Sequence, residues 1–319
     1  MNIHIKIPQI SKQIYEQDVL NILMDHYSNI GSVWAMHQLE WINSTYRAFH
    51  DHDKFLTIIY LTKRTLDFYS RNYTMLSYDQ FYSGDLVEIE NFNIAEISTN
   101  LNIPKESARR KILELEKSGV IKKNKKKILI DRAAYPHIKP IDSVKRVSRF
   151  LSILSELLYQ QKILSKKIET KSLEKIIKDN FSYVWKIYYE FQIPMMIGYK
   201  QYFGDIETFH IWGLCVVNQH LYAQSKGNKI KRSGFIKDLV SLEGVPGLNA
   251  MSISDISGIP RATVVRKLKK LLKKNYLIID DKKLYRLTDA PISKVKPIQS
   301  IVLERLSKFS TKIFNLSIL

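Results

Sequence analysis

Ile94 to Asp131 reads IAEISTNLNIPKESARRKILELEKSGVIKKNKKKILID. Proline's fixed φ is already helical, and its missing N–H would lack a partner in a first turn anyway, so a helix is expected from Pro104 on. Ala108, Ile112 and Leu115 then recur at helical spacing and predict a buried face, leaving Lys105, Glu106, Arg109, Arg110 and Leu113 on other faces. Gly119 ends this helix, because glycine takes the left-handed cap conformation at little steric cost. Two β-favouring runs follow, Val120-Ile121 and Ile128-Leu129-Ile130, joined through Lys122, Lys123, Asn124, Lys125, Lys126 and Lys127. With a short helix ahead of the turn, the stretch predicts a helix-turn-helix followed by a basic, two-stranded wing.

The same pattern returns without gaps from Ile253 to Arg286. Ile253-Ser254 matches Ile97-Ser98, Ile259-Pro260 matches Ile103-Pro104, Arg266-Lys267 matches Arg110-Lys111, and Lys282-Lys283 matches Lys126-Lys127. About ten of some thirty-four aligned positions are identical, which marks an internal duplication. It extends beyond the motif: the run from Phe49 to Phe55 lines up with Phe203 to Phe209, and Ile138 to Ile141 with Val295 to Ile298. The expected fold is mainly α with small β wings, in two tandem units. The first, 1–142, holds a winged segment at about 84–132; the second, 143–319, holds one at about 234–290 and a C-terminal helix at 300–319.

The stretch from Ile94 to Asp131 resembles the winged DNA-reading domain of Crp-type bacterial regulators, whose recognition helix carries Arg-Glu-Thr-Val-x-Arg. Lys105-Glu106-Ser107-Ala108-Arg109-Arg110 stands in that place. The resemblance implies base contacts from Lys105, Glu106 and Arg110 and a phosphate contact from Ser107. The second copy reads Arg261-Ala262-Thr263-Val264-Val265-Arg266, where Ala262 departs from the pattern. Nothing resembles the cyclic-nucleotide barrel of those regulators, so no such ligand is implied. Helices flanking a winged motif resemble MarR-like regulators, although that family's acidic-arginine wing signature is missing here.

A net charge of +19 on 319 residues suggests a polyanionic partner, since each neutralised phosphate releases condensed counterions. A general enrichment in lysine would give the same number. The placement of cations on both recognition helices and on the first wing favours the functional reading. Cys215 is the only cysteine, so neither an intrachain disulfide nor a cysteine-built zinc site is possible. Met1 to Gln13 has no apolar signal core, and no run is long enough to cross a bilayer, so a cytoplasmic protein is expected.

Ser11 to about Tyr82 reads as helical, with Trp34, Trp41, Tyr46, Phe55, Tyr60 and Phe68 expected as a small core; a pocket for an unknown effector among the tyrosines and tryptophans is the alternative. Ser83 to Asn93 reads as a polar lead-in. In the second unit, Phe191 to Tyr202 is expected to break at Pro194 and Gly198, and Pro291 to Pro297 to form a connector. The final helix is expected to pack on its counterpart beginning near Ser143. A basic loop, Lys226 to Lys237 with Lys229, Lys231 and Arg232, reads equally as a phosphate contact or a solvated loop.

His50-Asp51-His52-Asp53 is the one cluster that suggests a metal. Adjacent residues on a helix point to different faces, and the matching Gly204-Asp205-Ile206-Glu207 has no histidine, so a helix-start role is expected. Glycine-rich phosphate loops, a nucleophile elbow and a His-x-x-x-His pair are absent, so no enzyme and no cofactor is expected. The function expected is sequence-specific binding of double-stranded DNA by a transcription regulator, as a pseudo-dimeric monomer or a homodimer. The contacts fall to Lys105, Glu106, Ser107, Arg109, Arg110, Lys123, Lys125 and Lys126 in the first unit, and to Arg261, Thr263, Val265, Arg266, Lys282 and Lys283 in the second. A plasmid- or phage-type replication initiator and a winged-helix protein adaptor are the alternatives.

Overall fold

A computed structural model describes residues 10–125, 127–134, 141–228, 234–290 and 292–318. It is mainly helical, with strands confined to two small antiparallel sheets. The first repeat runs α1 (Glu16–Asp25), α2 (Tyr27–Phe49), α3 (His52–Arg71), α4 (Tyr78–Phe81), β1 (Leu86–Ile89), α5 (Ile94–Leu101), α6 (Lys105–Lys117), β2 (Ile121–Asn124), β3 (Lys127–Asp131) and α7 (Ile141–Gln160). The second runs α8 (Thr170–Asp179), α9 (Phe181–Phe203), α10 (Ile206–Ser225), α11 (Phe235–Val240), α12 (Ala250–Ser257), α13 (Arg261–Lys273), β4 (Leu277–Ile279), β5 (Tyr285–Leu287) and α14 (Ile292–Ile318). Equivalent helices agree in length: 23 residues in α2 and α9, 20 in α3 and α10, 8 in α5 and α12, 13 in α6 and α13. The duplication therefore spans the helical lead-ins as well as the motifs, and by this order α7 is the counterpart of α14.

The cluster at His50 forms the corner between α2 and α3. His50 closes α2 in the left-handed conformation (φ 52°), and Asp51 caps α3 by accepting from the Lys54 N–H at 3.0 Å. Gly204 (φ 87°) and Asp205 repeat both roles between α9 and α10, with Thr208 donating at 2.7 Å. An acceptor side chain at the N-cap satisfies one of the free amides of the first turn, which explains why Asp recurs there and histidine does not.

The repeats pack reciprocally. Helix α3 lies on α9 and α10 lies on α2, so the lead-in helices of both repeats form the centre. Each exit helix crosses to the other repeat's first helix: α7 packs on α8, and α14 packs on α1 as well as on α9. The tail therefore packs on α1 and α9 rather than on α7. The Ile14 N–H donates to Asn315 Oδ1 at 2.9 Å, and Asn315 Nδ2 donates to the Ile14 carbonyl at 3.1 Å, which ties the two ends of the chain together. Apart from Val245, the buried apolar side chains among the described residues form one hydrophobic cluster drawn from both repeats.

Two helices run through prolines expected to stop them. Helix α9 is continuous across Pro194, whose ring removes the bond to the Glu190 carbonyl. That carbonyl accepts from Arg305 Nη1 at 3.3 Å, and Phe191, Ile193, Met195 and Met196 beside the proline are buried. Tertiary packing thus outweighs the local preference. Helix α14 starts at Ile292 and runs through Pro297, its sixth residue, where the ring removes the N–H that would meet the Ser293 carbonyl.

Candidate nucleic-acid interface

In each head a side-chain-capped helix leads to a proline-started one. Asn93 accepts from the Glu96 N–H at 2.7 Å to begin α5, and Asn249 accepts from Ser252 at 2.8 Å to begin α12. The turn is pinned the same way twice: Ser98 Oγ donates to the Ile103 carbonyl at 2.6 Å, and Ser254 Oγ to that of Ile259 at 2.7 Å. Ile103 and Ile259 are buried beneath it. Pro104 and Pro260 (φ −52° and −54°) are the caps, so each recognition helix starts one residue later than expected, at Lys105 and Arg261. The left-handed residues around them exchange identities, Asn102 and Gly119 in the first head against Gly258 and Asn275 in the second. Both types tolerate positive φ.

The apolar faces are as expected, with Ala108, Ile112 and Leu115 buried in α6 and Val264, Leu268 and Leu271 in α13. On the outer side of α6, Lys105, Glu106, Arg109 and Arg110 are exposed and Ser107 is half-buried. Arg110 lies 3.8 Å from Glu114, whose carboxylate is held below its usual range chiefly by the hydrogen bond from Lys54. Among the described residues Lys105 and Arg109 have no ion-pair partner. On α13, Arg261 and Arg266 are exposed, while Thr263 and Val265 are half-buried.

Sequence reading missed what anchors these helices. Lys111, 9 % exposed, pairs with the carboxylate of Asp51, the cap of α3, and burial holds its ammonium below the usual lysine range. Its counterpart Lys267 reaches Asp205 Oδ1 at 2.8 Å, and Lys270 adds a second contact at 3.0 Å. Burial would raise the Asp205 carboxyl, but hydrogen bonds from Lys267, Thr208 and Lys270 hold it well below the usual carboxylate range. Each recognition helix is thus clamped by its inner lysine to the corner of its own lead-in. The signal was present, since the repeat aligns Asp51 with Asp205 and Lys111 with Lys267.

The wings differ more than the helices. The first sheet is three-stranded in the order β1-β3-β2, because the expected polar lead-in supplies β1. Val87 and Ile89 point inward while Leu86 and Glu88 face out, a period-2 strand of four residues. Lys122 and Lys123 lie within β2 and Lys127 within β3, so the connection shrinks to Lys125 and Lys126. Lys125 is exposed with φ 55°; Lys126 lies outside the described residues, as do Lys229, Lys231 and Arg232 of the basic loop. Lys122, Lys123 and Lys127 each meet an acid, Asp131 at 2.5 Å, Glu116 at 2.6 Å and Glu88 at 2.9 Å, but all three lysines are more than half exposed. Such pairs are worth little and exchange readily.

The second wing has only β4 and β5, plus a bridge from Leu248 to Tyr285. At the places of Lys122 and Lys123 it carries Ile278 and Ile279, 47 % and 44 % exposed. Asp280 Oδ1 accepts from the N–H groups of Lys282 and Leu284 at 3.0 and 2.9 Å, and its Oδ2 lies 3.4 Å from Arg286. Its carboxylate therefore builds the turn, while Asp281, Lys282 and Lys283 are exposed beside it. Comparison with protein-family models, curated proteins and solved structures returns no match. Among the described residues no helix is long and apolar enough to cross a membrane.

Proposed function

We propose that this chain is a sequence-specific double-stranded DNA-binding protein, a transcription regulator that reads DNA with two unlike winged heads. One observation carries the reading. Each recognition helix sends its inner lysine to a capping aspartate, joined in α13 by Lys270, and exposes other basic residues, among them Lys105, Arg109 and Arg110 on α6 and Arg261 and Arg266 on α13. A helix fixed in this way can enter a major groove, with arginine or lysine donating to guanine O6 and N7, and the lysines of the first wing neutralise phosphates beside it. The halves are related as the two chains of a homodimer would be, so one molecule supplies both reading heads. Because the heads diverge at Arg109 against Val265 and Glu106 against Ala262, the preferred site is asymmetric.

Selection of bound duplexes from a random pool, repeated at two salt concentrations, tests this. The expected result is a site with two distinct half-sites and an affinity that falls steeply with salt. A palindromic site occupied by two chains, each through its first head, would overturn the two-headed reading. Loss of all salt dependence would overturn DNA binding itself. A second reading, the second wing as a contact for another protein, is favoured by exposed Ile278 and Ile279 where the first wing has lysines.

A further inference from the structure

Where α2 meets α9, α10 and α14, the helices line a half-open cavity of about 110 Å3. Its walls include Trp34, Tyr199, Phe209 and Trp212, and no charged side chain is among them. Gln38 also lines it. That side chain is 9 % exposed, yet neither its Nε2 nor its Oε1 has a hydrogen-bond partner among the described residues. Trp212 Nε1 and His210 Nδ1, on the same wall, are unpartnered as well. Native interiors leave few such groups, because a buried amide stripped of water and given nothing in return is costly.

One wall position is held open by a glycine. Gly213 is the eighth residue of α10, and a Cβ there would meet nothing within 4 Å. The eighth residue of α3 is Ile59, which is 1 % exposed. The first repeat thus fills this position with a branched side chain and the second leaves it open. Glycine inside a helix weakens it relative to alanine, so the void stands against the helix's own preference.

We propose that this cavity binds one small, neutral, planar heterocycle with a hydrogen-bond donor and acceptor side by side, the pattern of a cyclic amide. Planarity follows from the aromatic walls. Neutrality follows from the lack of a counter-charge, since an ion would lose its water without compensation. His210 does not supply one: burial holds its imidazole well below the usual range, and its Nε2 is 2.6 Å from Asn43 Oδ1. The adjacent donor and acceptor follow from Gln38, whose carboxamide offers one of each in one plane and pairs with a matching edge as it would with adenine. An engineered cavity of about 150 Å3 accepts benzene, so the space here matches a single ring. Arg47, also on α2, donates to the Ile256 carbonyl in α12 at 3.1 Å, which connects this wall to the second head. The site stands independently of the DNA reading.

The test uses the full chain, 2-pyridone as the probe, and benzene as a control of similar size without donor or acceptor; calorimetric titration and the unfolding midpoint are the readouts. Wild type is expected to bind one 2-pyridone per chain, at least about tenfold more tightly than benzene. Gln38→Leu should lose at least about tenfold for 2-pyridone and keep benzene. Gly213→Leu, which fills the void, should bind neither and unfold at a higher temperature. If Gly213→Leu does not fold, Gln38→Leu decides alone. Absence of saturable 2-pyridone binding, equal affinity for the two rings, or undiminished binding by Gln38→Leu would overturn the proposal and leave water as the occupant.

Discussion

The two heads are alike inside and unlike outside. Isoleucine plugs both turns, serine pins both, asparagine caps both leading helices, and a lysine ties each recognition helix to a capping aspartate. Outside, Glu106 faces Ala262, Arg109 faces Val265, and the Lys122-Lys123 pair faces Ile278-Ile279. Interior positions are constrained by close packing and hydrogen-bond closure, and a change there is felt by the whole motif. Exposed positions are free to diverge until a partner constrains them. What differs between the heads is therefore the chemistry of their exposed faces, and the first wing is the more basic of the two.

The largest effect is expected from breaking the plug in one head only. Ile103→Asp buries an unpaired carboxylate and should destabilise the first motif by about 4 kcal/mol or more. Hydrogen exchange should then accelerate across α5 and α6 and less across α12 and α13. Uniform acceleration would show that the heads do not open separately.

The clamps come next. Asp205→Asn keeps an N-cap side chain but leaves Lys267 and Lys270 without their acid, a loss of about 2 kcal/mol by chemical denaturation. Asp51→Asn should lose less, since one lysine rather than two depends on it. The pH dependence has a definite sign. The Asp205 carboxyl is depressed in the fold, so its contribution is present above the unfolded value of about 3.9 and is lost as pH falls toward the folded one. Glu207 runs the other way: burial raises its carboxyl, so it favours the fold below the unfolded value, and that contribution is lost as pH rises through the folded one. Glu207→Gln should leave neutral-pH stability unchanged or higher, which thermal unfolding across pH 4 to 7 would check.

On DNA, Arg110→Ala and Lys105→Ala should each cost about 1–3 kcal/mol of discrimination at one position of the site. Lys125→Ala should weaken all sequences alike and flatten the salt slope by about one. Both are read from binding isotherms on cognate and scrambled duplexes. The smallest change sharpens the comparison most: Ile278→Lys with Ile279→Lys gives the second wing the lysines of the first. Stability should stay within about 0.5 kcal/mol, while the salt slope steepens by about two. An unchanged slope would mean that the second wing lies away from the phosphates.

Much of the fold of the two heads was legible because proline, glycine and asparagine punctuate the motif and because it occurs twice. The outward residues of α6 followed from helical periodicity alone. The clamps did not, since Lys111 finds its aspartate 60 residues upstream. Strand β1 was obscured by its length and by the polar residues around it. Continuity through Pro194 depends on Arg305, 115 residues from the carbonyl it satisfies, and no local rule contains that contact. Helices α7 and α14 could equally have met each other, because their apolar stripes are alike; only the assembled shape decides that each crosses to the opposite repeat.

The bond between Ile14 and Asn315 closes a loop of 301 residues. Long-range closure of this kind slows folding, because chain entropy is lost before the contact is made. During synthesis α1 must wait until α14 has left the ribosome, with Val19, Ile22 and Leu23 lacking part of their cover in the meantime. The chain is thus exposed to misassociation for as long as it takes to translate. A second nascent copy, emerging from the same message, could offer its own α14 sooner, and exchange of that helix between neighbours is the error this topology invites.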